Sequence, residues 1–168
     1  WLKRRFKQYK IEDKDLSKLK MRMDIIPVSI AIAQAANESG WGTSRFALEG
    51  NALFGQWTWS KKGISPKNKD PNKSHKILQF QVLKASVRAY KNNLNTHKAY
   101  QEFREARAQM REENDKLDGL GLTIYLKNYA SIGEKYVSIL QDIIEKNSLT
   151  DFDKADLLPT KLKTGVAL

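Results

Sequence analysis

Apolar residues recur along most of this chain at helical spacing. Leu2, Phe6 and Tyr9 stand at i, i+4 and i+7, one apolar stripe on an otherwise basic helix. Leu16, Leu19 and Met23 continue with similar spacing, i, i+3 and i+7, after the acidic start "EDKD", a run suited to a helix N-terminus. The next stretch, "PVSIAIAQAANES", is apolar or small on nearly every side, with Pro27 placed for a first turn and Gly40 just past the end. It predicts a central, buried helix. Helical spacing returns at Val87, Tyr90 and Leu94, at Tyr100, Phe103 and Met110, and at Tyr136, Ile139, Leu140, Ile143 and Ile144, with "LDGLGL" read as a break.

Between about 50 and 82 the period changes. "NALFGQWTW" and "HKILQFQV" are aromatic and β-branched enough for short strands, and they flank the polar loop "SKKGISPKNKDPNKS". The expected architecture is mainly α with a small β-hairpin lobe whose tip is basic. Residues 1–150 are expected to form a single domain. The aperiodic 151–168 is expected to be a C-terminal tail, loosely docked or disordered.

Charge narrows the partners. Thirty Lys and Arg against nineteen Asp and Glu leave a net +11 on 168 residues. Such a surface favours polyanions: nucleic acid, anionic lipid or the acidic polymers of a cell envelope. The cations are spread along the chain without a nucleic-acid motif, so no specific nucleic-acid partner is expected. There is no cysteine, and His75 and His97 are too few and too far apart for a metal centre; no metal or cofactor is expected. No apolar run reaches the roughly 20 residues of a membrane span. The chain begins at Trp1 without Met, which leaves room for a removed export signal.

One carboxylate stands apart. Glu38, in "QAANESGWGTSRFA", falls in the last turn of the predicted buried helix, beside Trp41. A helix C-terminus carries partial negative charge, and aromatic cover from Trp41, Trp57 or Trp59 would desolvate the carboxyl. Both effects favour the protonated form, as a general acid requires near neutral pH. The alternative is a solvated helix-end residue. Ser39 has no histidine in its motif and is not read as a nucleophile, and His97 reads as a helix-junction residue.

The segment "IPVSIAIAQAANESGWGTSRFALEGNALFGQW" closely resembles the core motif of the Bax-type glucosaminidases, within the family 73 glycoside hydrolases. That set includes the flagellar peptidoglycan hydrolase and autolysins with a mannosyl-glycoprotein endo-β-N-acetylglucosaminidase-like domain. Gln34, Ala35, Asn37, Glu38, Ser39, Gly40, Trp41 and Gly42 stand in the family's order, and the likeness extends through "SVRAYKNNLNTHKAY" and "YLKNYASIGEKYVSIL". The resemblance implies a lysozyme-like α+β fold and cleavage of the β-1,4 bond after N-acetylglucosamine in peptidoglycan, in the periplasm or cell envelope. It implies Glu38 as the acid and Tyr129 as a tyrosine near the reacting sugar.

A glycosidase acid usually has a carboxylate partner. The acids between 49 and 101 are Glu49, which reads as structural or solvated, and Asp70, in the lysine-rich hairpin tip. Asp70 is the candidate base, against a plain turn role for Asp-Pro; assistance by the sugar's own acetamido group is the other route. Trp41, Trp57 and Trp59 are candidate stacking faces, with a core-filling role equally open for the last two, and Asn51 and Gln56 are candidate hydrogen-bonders to N-acetyl groups. A lytic transglycosylase, needing one acid, and a non-catalytic, basic glycan- or polyanion-binding domain stand as alternatives. A monomer is expected.

Overall fold

A computed structural model describes residues 1–58, 63–65, 76–114 and 116–155. The order is α1 (Leu2–Gln8), α2 (Leu16–Met23), α3 (Val28–Ser39), α4 (Arg45–Gly50), strands β1 (Trp57–Thr58), β2 (Gly63–Ile64) and β3 (Lys76–Leu78), then α5 (Leu83–Thr96), α6 (Gln101–Asn114), α7 (Gly119–Leu122) and α8 (Glu134–Lys146). Short 3-10 segments cover Lys98–Tyr100, Thr123–Tyr129 and Leu149–Lys154. The protein is mainly α with a small β lobe, as its periodicity predicts.

The core forms where helical stripes converge. Ile30 and Ala33 of α3, Leu94 of α5, Phe103 of α6, Leu122 of α7, Leu126, and Tyr136 and Leu140 of α8 are all fully buried. Each large side chain among them contributes roughly 1.5–3 kcal/mol by leaving water. Helix α3 runs through this core, as its all-round apolar composition requires. On α5 the buried face is Ser86, Tyr90 and Leu94, while Val87 stays exposed. A second cluster joins α1 to α2 through Tyr9, Ile11 and Leu19, with Phe6 and Met23 packed against it. Leu2, at the other end of the α1 stripe, is exposed.

A buried cation ties α2, α5 and α6 together. The Arg107 guanidinium donates to the Met21 and Ile25 carbonyls, at 2.7 Å each, and to Asn95 Oδ1 at 2.8 Å. Burial pushes its pKa down to about 10, offset in part by the Asp24 carboxylate 3.7 Å away.

Four local readings change. The β lobe is a three-stranded antiparallel sheet in the order β1-β3-β2, not a two-stranded hairpin: Trp57 pairs with Ile77 and Ile64 with Ile77 from the other side. Strand β2 lies inside the segment read as loop, where a two-residue strand has no periodicity to show. "NALF" is not strand; it follows α4, which Asn51 ends in the left-handed conformation at φ 50°. "LDGLGL" contains α7, started by Asp118, whose Oδ1 accepts the Gly121 N–H at 3.0 Å. Helix packing outweighs the glycine propensities there.

Order extends past residue 150. The Leu149–Lys154 segment packs on α3. Pro27 precedes the first helical residue of α3 and offers no side-chain cap. Asp153 supplies one from 124 positions away: its Oδ1 accepts the Ser29 N–H at 2.8 Å and its Oδ2 accepts the Ser29 hydroxyl at 2.6 Å. This carboxylate satisfies a free N–H and stands at the positive end of the helix dipole. Residues 149–155 thus belong to the packed structure, across the boundary drawn at 150.

Candidate active site

Glu38 stands at the C-terminal turn of α3, and the sequence stops that helix sharply. Gly40 takes the left-handed conformation at φ 57°, which lets Trp41 N–H close back on the Ala36 carbonyl at 2.8 Å. The Ser39 hydroxyl donates to the Ala35 carbonyl at 2.5 Å and accepts the Gly42 N–H at 2.8 Å. Ser39 is therefore a helix-end brace. His97 caps the junction before Lys98–Tyr100, its Nδ1 accepting the Ala99 N–H at 3.2 Å.

The Glu38 carboxyl is half-buried. Oε1 accepts the Tyr136 hydroxyl at 2.9 Å and the Asn37 amide at 3.3 Å. Oε2 faces Gly55, where a Cβ would stand 3.1 Å away. Burial raises the pKa of Glu38 above the usual carboxylate value, and the Tyr136 and Asn37 hydrogen bonds offset part of that rise. The carboxyl thus keeps its proton to higher pH than a solvated glutamate.

Tyrosines stand against it. The Tyr136 and Tyr129 rings stack with centroids 5.6 Å apart and planes within 3°, and Tyr100 tilts against Tyr129 at 6.0 Å. Burial pushes the Tyr129 phenol well up, and the Glu38 charge adds to it. Burial likewise raises Tyr136, again with Glu38 adding to the effect. Both phenols stay protonated and act as donors. Tyr129 donates to the Phe54 carbonyl at 3.0 Å, which pins the turn that carries Gly55.

Of the tryptophans expected to cover Glu38, Trp41 and Trp57 are 62% and 60% exposed. Trp41 follows the αL glycine at positive φ itself, and Trp57 lies on a short outer strand, so neither packs into the core. Asn51 spends its amide on the Phe80 carbonyl at 3.0 Å, joining the end of α4 to the segment after β3. Gln56 is half-buried, and its Oε1 has no hydrogen-bond partner among the described residues. Glu49 is exposed and pairs with Arg45 at 3.3 Å. Asp70 and Trp59 lie outside the described residues. Among the described residues, no group of His, Asp or Glu could hold a metal ion, and no helix is long and apolar enough to cross a membrane.

Sequence spacing placed Tyr136 and Tyr90 only as helix-core residues, yet both join Gln34 behind Glu38. The Tyr90 hydroxyl donates to Gln34 Oε1 at 2.7 Å, and Gln34 Nε2 donates to the Tyr136 hydroxyl at 2.9 Å. One signal was readable: Gln34 is a lone long polar residue in an apolar helix, four before Glu38 and so on the same face. A cavity of about 770 Å³ between α2 and α6, lined by Trp1, Leu16, Met23 and Arg111 among others, contains none of these groups.

Fold and site together define a mainly α domain with a small β lobe and a half-buried carboxyl at the end of its central helix. The chain belongs to the glucosaminidase family: the family profile described as mannosyl-glycoprotein endo-beta-N-acetylglucosaminidase matches residues 14–149. It is similar to the protein bax of Escherichia coli (strain K12), with 39% identity over 126 residues. That match covers 75% of this chain and 44% of the relative, so the chain spans less than half the length of the curated relative it matches. No solved structure matches.

Proposed function

We propose that this domain hydrolyses peptidoglycan at the β-1,4 bond after N-acetylglucosamine, with Glu38 as general acid. The observation that carries the reading is the half-buried Glu38 carboxyl, its pKa raised by burial, at the end of α3 in a glucosaminidase-family chain. Glu38 gives its proton to the bridging oxygen as the bond to the anomeric carbon breaks, so the leaving sugar departs as an alcohol. A water then adds its hydroxyl to the anomeric carbon, and its proton goes to a base. Asp70 is our candidate for that base, and the substrate's acetamido group is the alternative route. Exposed Trp41 and Trp57 offer faces for sugar rings, joined by Trp59 and the amides of Gln56 and Asn51 as further candidates. Tyr129 lines the acid and steadies the Gly55 turn.

The net +11 charge suits an anionic wall polymer and a location in the cell envelope. We take the working unit to be one monomeric domain.

Glu38→Gln tests the reading. It keeps shape and hydrogen-bond acceptor but has no acidic proton, so digestion of purified peptidoglycan should fall roughly a thousandfold while wall binding persists. Unchanged digestion would overturn the assignment. Mass spectrometry of the products separates hydrolysis from transglycosylation, whose anhydro end is one water lighter.

A further inference from the structure

We propose that the buried series Tyr90–Gln34–Tyr136 fixes which oxygen of Glu38 carries its proton. It holds Oε1 as an acceptor and so commits the proton to Oε2, the oxygen facing Gly55. This deepens the reading of Glu38 as the acid and rests on it. Tyr136, Gln34 and Tyr90 are positioning residues in this scheme, because none needs to touch the sugar.

The Tyr90 hydroxyl has one proton, and among the described residues its hydrogen-bond partner is Gln34 Oε1, at 2.7 Å. That bond fixes the Gln34 amide, whose nitrogen then presents only protons to Tyr136, at 2.9 Å. The Tyr136 oxygen must accept there, so its own proton points to Glu38 Oε1, at 2.9 Å. Gln34 and Tyr136 are fully buried and Tyr90 is 1% exposed, so water does not interrupt the series.

Reversing the series shows what it prevents. With the amide turned over, Tyr136 would donate to Gln34, and Glu38 would donate through Oε1 to Tyr136. The acid's proton would then be aimed into the core, away from any substrate. In the observed direction the proton is left on Oε2. The turn that faces Oε2 bears no side chain at Gly55, and Tyr129 anchors it through the Phe54 carbonyl.

The test compares Tyr136→Phe, Tyr90→Phe and Glu38→Gln in pH–rate profiles on purified peptidoglycan. It adds NMR titration of ¹³C-carboxyl-labelled glutamate. Tyr136→Phe removes a donor to the carboxylate, so the alkaline limb should move up by about one pH unit, with kcat down about tenfold and KM unchanged. Tyr90→Phe keeps its ring stacked on Phe54, at 3.9 Å, and does not touch Glu38. Freed from its lock, Gln34 can turn over, and the limb should move the same way by about half a pH unit. A purely structural role for Tyr90 would lower thermal stability and leave the limb in place. An unmoved limb and an unmoved glutamate titration in Tyr90→Phe, with Glu38→Gln inactive, overturn the proposal. An active Glu38→Gln would instead defeat the reading of Glu38 as the acid. If Tyr136→Phe fails to fold, Tyr90→Phe alone decides.

Discussion

Replacing Gly55 by alanine asks whether Glu38 delivers its proton through Oε2. Gly55 has φ +59°, so the added Cβ carries the left-handed penalty of roughly 1 kcal/mol. For a chain of this size that lowers Tm by about 2–4 °C. The same Cβ would stand 3.1 Å from Glu38 Oε2, closer than an ordinary carbon–oxygen contact. Relief by moving the turn is opposed by the Tyr129 bond to the Phe54 carbonyl and by the buried Phe54 ring stacked on Tyr90. Relief by moving Glu38 is opposed by Tyr136. The methyl therefore stays within the roughly 3 Å shell that an accepting oxygen must enter for proton transfer. Loss of transition-state contact worth about 3 kcal/mol, or roughly a hundredfold in kcat/KM, is expected. Release of soluble fragments from purified peptidoglycan measures it, beside a thermal melt. Gly133→Ala is the control: φ is +55°, but nothing lies within 4 Å of its Cβ, so it should lose stability and keep activity. A Gly55→Ala protein with full turnover and only a lowered Tm would refute delivery through Oε2.

Two further outcomes concern stability. Asp153→Ala removes the remote cap of α3, which should cost about 1–2 kcal/mol and roughly 3–6 °C in Tm; an unchanged melt would show that residues past 150 do not brace the helix. Because folding raises the Glu38 pKa, its contribution to stability is fully present below the unfolded-state pKa and is lost as pH rises through the folded value. Glu38→Gln, which has no charge to bury, should therefore melt above the wild type at pH 8, with the difference closing in acid. A constant difference in Tm across pH would argue that the carboxyl is not desolvated.

Much of the fold was legible because burial imposes periodicity. Leu94, Phe103, Leu140 and Ile144 announce their helices by spacing alone, and the small apolar run of α3 announces its central place. Short elements were not legible. Strands of two or three residues and the glycine-containing α7 have too few positions for a period, and their existence depends on neighbours distant in the chain. The candidate acid was likewise visible, since Glu38 sits at a helix end that Gly40 forces.

Its surroundings were not visible. Tyr136 lies 98 positions from Glu38, and Asp153 lies 124 from Ser29; no local pattern records which distant hydroxyl or carboxylate will arrive. A tyrosine at helical spacing looks the same whether its oxygen meets solvent or a carboxyl. Sequence by itself determined the helices, the central place of α3 and the position of its terminal glutamate, because those follow from near neighbours and from the need to bury apolar faces. Only the tertiary structure decided which oxygen of that glutamate is bonded, by whom, and how far burial holds its proton, because those depend on distances closed by packing.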